Sequence, residues 1–146
     1  MTPRPVILEA TPCWVIAVDG SVRAGFPTPA ADHGHAPLDL FQHLVPHPQA
    51  TFYFKASGCS MIDAGIHDGD YLLVDRAERP SPGHIVVAVV DGDFTVKYLR
   101  KRGSYYYLEA ANATYPRISP KDGQVLEIWG VARNSIHALP GYRIGV

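Results

Sequence analysis

Apolar and polar positions alternate along residues 51–56. Phe52, Phe54 and Ala56 fall on one face and Thr51, Tyr53 and Lys55 on the other, the pattern of a half-buried strand. Gly58 breaks it. Ser60-Met61-Ile62-Asp63 then reads as a helix start, with Ser60 at the N-cap and Asp63 three residues on, and Gly65 ends that helix after about one turn. Residues 70–75 form the next strand. Two apolar runs, 85–90 and 93–99, flank Asp91-Gly92, a two-residue loop that favours a type I′ hairpin. This loop pairs Val90 with Asp93, Ala88 with Thr95 and Val86 with Lys97. A second hairpin turns at Arg102-Gly103-Ser104 into residues 105–108, and residues 125–131 make a last apolar strand.

The front of the chain reads differently. Residues 1–24 carry one apolar run, 13–18, suited to an arm that pairs with a sheet edge or lies on another subunit. Residues 25–50 hold Pro27, Pro29, Pro37, Pro46 and Pro48, and only Leu38-Asp39-Leu40-Phe41 hints at a helical turn. Such a stretch predicts a semi-extended linker. The expected organisation is an arm (1–24), a Pro-rich linker (25–50) and a mostly β domain (51–146), a compact barrel-like body with a flexible N-terminal arm.

Composition narrows the function classes. The chain has 146 residues, 47% apolar and 18% charged, which predicts one globular domain. Its 13 glycines and 13 prolines fit short strands and turns better than long helices. A net charge of −1 gives no basic field to hold the chain on DNA, so no direct sequence-specific DNA binding is expected. No apolar run nears the ~18 residues of a membrane span, and the first residues do not read as a signal peptide, so a cytoplasmic protein without membrane contact is expected. The only cysteines are Cys13 and Cys59, too few for a disulfide framework. Cys59 reads as a small packed side chain. His33, His35, His43 and His47 lie in the linker without cysteine ligands or helix-borne spacing, so neither metal nor cofactor is expected. Arg100-Lys101-Arg102 reads as a solvated cluster and Tyr105-Tyr106-Tyr107 as packing residues.

Two residues have a chemical as well as a structural reading. Ser60 suits an N-cap. A serine at a helix start also sits beside unpaired N–H groups that can stabilise an oxyanion, but as a nucleophile it needs a base. Lys97 is the candidate base. The hairpin register puts it opposite Val86 and beside Thr95 and Leu99, an apolar setting that disfavours its charged form. A snorkelling lysine on a solvated face is the structural alternative.

Gly58-Cys59-Ser60-Met61, Asp63, Gly65-Ile66, Asp68-Gly69-Asp70 and Val74-Asp75 together resemble the serine box of the UmuD and LexA family. Gly83-His84-Ile85-Val86-Val87-Ala88 with Asp91-Gly92-Asp93-Phe94-Thr95-Val96-Lys97 resembles its lysine box. Phe26-Pro27-Thr28-Pro29-Ala30-Ala31-Asp32 is similar to the segment after the family's cleavage site. The resemblance spans about residues 23–133 and departs in residues 1–22 and 136–146. It implies a LexA-type peptidase fold, usually a homodimer, with Ser60 as nucleophile and Lys97 as general base. By the same resemblance, the Cys59 and Ser60 backbone amides donate to the oxyanion and Ala24–Gly25 is the bond cut. It also implies self-cleavage stimulated by RecA filaments on single-stranded DNA, followed by service to an error-prone Y-family polymerase of the UmuC kind. The stretch from Gly25 to Ala50 spans roughly 85 Å if fully extended, so the bond can reach Ser60 of its own chain or of a partner. A repressor of the same family needs a DNA-binding domain before the peptidase, and a signal peptidase a membrane anchor. Neither pattern is expected here. The rival reading is a polymerase-binding module that keeps the fold without cutting.

Overall fold

Eight strands carry the fold among the residues that the computed structural model describes, 11–22, 24–25, 34–120 and 126–145. In chain order they are β1 (Trp14–Val18), β2 (His35–Asp39), β3 (Thr51–Lys55), β4 (Tyr71–Asp75), β5 (Ile85–Val90), β6 (Asp93–Arg102), β7 (Tyr105–Glu109) and β8 (Glu127–Ile136). One short helix, α1 (Leu40–Leu44), follows β2.

The predicted hairpin forms in the predicted register. Val90 pairs with Asp93, Ala88 with Thr95 and Val86 with Lys97. Asp91 and Gly92 both take positive φ, 49° and 84°, as a type I′ turn requires. The second hairpin turns through Gly103-Ser104, pairing Arg102 with Tyr105. β8 is longer than its apolar run predicts and reaches Ile136, because β4 supplies partners as far as Tyr71. It inserts between β4 and β5, giving one antiparallel sheet in the order β3-β4-β8-β5-β6-β7. Bulges at Leu73/Val74 and Val87/Ala88 bend the central strands. Both faces of β5 are buried. Val87 joins a core with Ala56, Met61, Ile66, Leu72 and Val74, and Val86 and Ala88 join another with Leu99, Leu108 and Val131. The mostly β architecture expected of the chain is the one observed.

The chain before β3 departs from expectation. β1 pairs with no edge of the main sheet. It forms a separate two-stranded ribbon with β2, so the Pro-rich stretch holds a strand as well as a helix. Proline cannot donate to a ladder but is accepted in a two-stranded ribbon, which is how Pro37 sits opposite Ile16. Asp39 accepts from the backbone N–H of Gln42 (3.3 Å) and caps α1. Residues 1–10, 23, 26–33, 121–125 and 146, and the expectations that fall on them, lie outside the described residues.

Candidate active site

Ser60 lies in a turn between β3 and β4. After Lys55 the chain leaves the sheet, and Gly58 at φ 87° turns it outward. Only a three-residue 3-10 turn, Ile62–Ala64, follows, and Gly65 at φ 82° closes it as expected. Ser60 is not its N-cap, contrary to the sequence reading. The backbone N–H of Asp63, which a capping serine would bind, donates instead to the Ala111 carbonyl (2.8 Å). The Ser60 hydroxyl is thereby left to a different partner.

That partner is Lys97. Its Nζ lies 3.0 Å from Ser60 Oγ, 3.0 Å from Thr95 Oγ1 and 3.1 Å from the Val96 carbonyl oxygen. Lys97 is 8% exposed, and burial lowers its pKa. The three contacts complete a tetrahedral nitrogen. The Val96 carbonyl has no proton and must accept an N–H. In the neutral amine only one further N–H remains, so with Thr95 as its acceptor the lone pair is free for the Ser60 hydroxyl. The apolar setting inferred from the register is therefore observed, and the snorkelling alternative is not.

Ser60 and Lys97 open onto a groove of about 250 Å³ that Phe54, Ala56, Leu72, Val87, Phe94 and Val96 also line. Loop 110–115 braces the serine turn from the other side. Asn112 Nδ2 donates to the Cys59 carbonyl (3.0 Å), the Ala111 N–H approaches Met61 Sδ (3.3 Å), and Met61 is buried. Gly58 N–H donates to Asp68 Oδ1 (2.7 Å), fixing the start of the turn. Sequence reasoning missed Asn112, which lies 53 positions from Cys59.

Cys59 is exposed, not packed as expected, because the Gly58 turn lifts it off β3. Its Sγ lies 3.5 Å from Tyr115 Oη, and that contact raises the Tyr115 pKa. Ala24 and Gly25 are exposed in the connection between β1 and β2. Of the linker histidines, His47 lies against the sheet, with Nδ1 2.6 Å from buried Asp75. Arg100 pairs with Glu109 (3.1 Å), while Lys101 and Arg102 are exposed. Tyr105 and Tyr106 are 51% and 41% exposed, so only Tyr107 of that run packs as predicted.

A serine hydroxyl held against a desolvated lysine, beside an antiparallel sheet and an open groove, is chemically equipped for nucleophilic attack of the serine-peptidase kind. Residues 16–133 match the Peptidase S24-like family, and the chain belongs to that family, in its UmuD and LexA branch. It is 44% identical to Protein SamA of Salmonella typhimurium over 114 residues, 78% of this chain and 79% of that protein. It is 44% identical to Protein MucA of Escherichia coli over 117 residues, 79% of each chain. With Protein ImpA of Escherichia coli it shares 52% identity over 80 residues, 55% of each chain. No helix among the described residues is long and apolar enough to cross a membrane.

Proposed function

We propose that this protein is a self-cleaving accessory factor of SOS mutagenesis, and that Ser60 and Lys97 cut the Ala24–Gly25 bond. The observation that carries the proposal is the 3.0 Å contact between Ser60 Oγ and a buried, pKa-lowered Lys97 Nζ. Neutral Lys97 takes the Ser60 proton as Oγ attacks the Ala24 carbonyl carbon. Backbone N–H groups of Cys59 and Ser60 hold the resulting oxyanion. The intermediate collapses as Lys97 passes the proton to the Gly25 nitrogen, leaving residues 1–24 as an ester on Ser60. Water, deprotonated by Lys97, then hydrolyses that ester and regenerates the serine.

Three features support self-cleavage over action on other substrates. Ala24 and Gly25 are exposed, their side chains suit a narrow groove, and they sit in the connection of the β1–β2 ribbon. The ribbon also supports a homodimer. Trp14, Ile16 and Val18, alternate positions on one face of β1, are 64%, 69% and 63% exposed, and a second copy would cover them. In this reading a RecA filament on single-stranded DNA favours the arrangement in which the bond enters the groove. The trimmed chain then serves a UmuC-like Y-family polymerase in the cytoplasm. With a net charge of −1, its role is to bind protein and leave the DNA contacts to the polymerase.

The test is intact mass after incubation at mildly alkaline pH, or with RecA, ATP and single-stranded DNA. The expected products are residues 1–24 and 25–146, absent from Ser60→Ala and Lys97→Ala. A chain that stays whole under both conditions supports the non-catalytic polymerase-binding module instead. A cut that persists in Ser60→Ala removes Ser60 as nucleophile.

A further inference from the structure

Beyond the Ser60 site, a second cluster of donors lies where β4 and β8 end side by side. Tyr71 pairs with Ile136, so the next residues outward, Asp70 and His137, become neighbours, and the preceding loop adds His67. We propose that His67, Asp70 and His137 bind a divalent transition-metal cation of the zinc type.

The geometry has the required parts. His137 Nδ1 lies 2.5 Å from Asp70 Oδ1, and His67 Nδ1 lies 3.5 Å from Asp70 Oδ2, longer than a good hydrogen bond. One ligand atom from each residue falls within 4.8 Å of the others. The two imidazole rings stack, centroids 4.5 Å apart at 29°, so both present Nδ1 to the one carboxylate. Asp70 is 2% exposed and held in place. The His67 backbone N–H (2.8 Å) and the Ser135 hydroxyl (3.3 Å) both donate to Oδ2. Those bonds orient the carboxylate as outer-shell partners orient a metal ligand, and they leave Oδ1 turned to His137. Both histidine side chains are about half exposed, 48% and 46%, so an ion can enter from solvent.

The donor set selects the ion. Two imidazole nitrogens and one carboxylate oxygen suit zinc, whereas calcium and magnesium favour all-oxygen shells. Zinc–ligand distances of about 2.0–2.2 Å require the imidazoles to open away from the 2.5 Å His137–Asp70 contact so that the ion enters between the three side chains. A fourth position is left for water, beside a groove that Lys55, Tyr71, Tyr142 and Arg143 line. A contrasting group, His47, Asp75 and Glu78, has comparable spacing but is already neutralised by a protein cation. Arg133 Nη1 lies 2.7 Å from Glu78 Oε2 and 3.5 Å from Asp75 Oδ2. No Lys or Arg ion pair is found at Asp70 among the described residues, so the cation place there falls to the histidines or to an ion.

Zinc binding to the metal-free full-length protein, followed by competition with a chromophoric chelator, tests the site. One zinc per chain is expected. His67→Ala and His137→Ala should each weaken binding at least about tenfold, and His47→Ala should leave it unchanged. Cobalt added to the unmodified protein should give the intense visible absorption of a four-coordinate ion, a readout that needs no variant. Absence of zinc binding, or equal affinity in wild type, His67→Ala and His137→Ala, overturns the proposal.

Discussion

At the residue scale, buried ionisable groups set how the molecule responds to pH. Burial opposes ionisation of Asp75. Hydrogen bonds from His47 (2.6 Å) and the Ala77 N–H (2.8 Å), with the nearby Arg133 charge, outweigh it and lower the Asp75 pKa. At Asp70, burial is likewise outweighed by the His67 N–H and His137. A depressed carboxylate pKa contributes stability that is present above the unfolded value, about 3.9, and lost as pH falls through the folded value. The melting temperature should therefore hold from neutral pH to about pH 4 and then fall. Asp75→Asn should flatten that acid limb, and an unchanged limb would show that the Asp75 contacts contribute nothing. Lys97 was legible at this scale because a two-residue turn sets register, and register sets the face. That Ser60 does not cap the turn was not visible locally, since it depends on Ala111 taking the Asp63 N–H.

At the element scale, the site depends on how closely β4 and β8 approach and on loop 110–115. A Cβ at Gly130 would lie 2.7 Å from Val74 Cγ1 and 3.4 Å from the Asp75 carbonyl oxygen. Val74 is fully buried and stiff at χ1, so it has little room to yield. Gly130→Ala is expected to destabilise the protein by about 1–3 kcal/mol in urea denaturation. Asn112 acts through the turn rather than on the reacting atoms. Its loss should slow self-cleavage while moving the melting temperature little, because its bond to the Cys59 carbonyl is at the surface. Equal loss of cleavage and stability would mean a purely structural role. The hairpins were legible because Asp-Gly and Gly-Ser turns punctuate runs of apolar and aromatic residues. β2 was not, because prolines mask a strand that pairs, among the described residues, with β1 alone.

At the scale of the whole molecule, three parts contribute separately. The sheet and its β3–β4 turn carry Lys97 and Ser60, the connection of the ribbon carries the exposed Ala24–Gly25 bond, and the bare face of β1 supplies the proposed surface for a second copy. Trp14→Glu combined with Ile16→Glu should convert a dimer to a monomer by light scattering, with the sheet's thermal unfolding retained. A dimer that survives both changes would place the interface elsewhere. The His67–Asp70–His137 cluster was invisible in sequence because His137 reaches Asp70 across 67 positions, through the end of a strand pair.

The most direct test of the central claim is the rate of self-cleavage as a function of pH. A buried lysine acting as base predicts a rate that climbs with pH and levels off at an inflection below about 10.4, the value of a solvated lysine. The rise should vanish in Lys97→Ala. A rate independent of pH across that range, or the same inflection in Lys97→Ala, would contradict it.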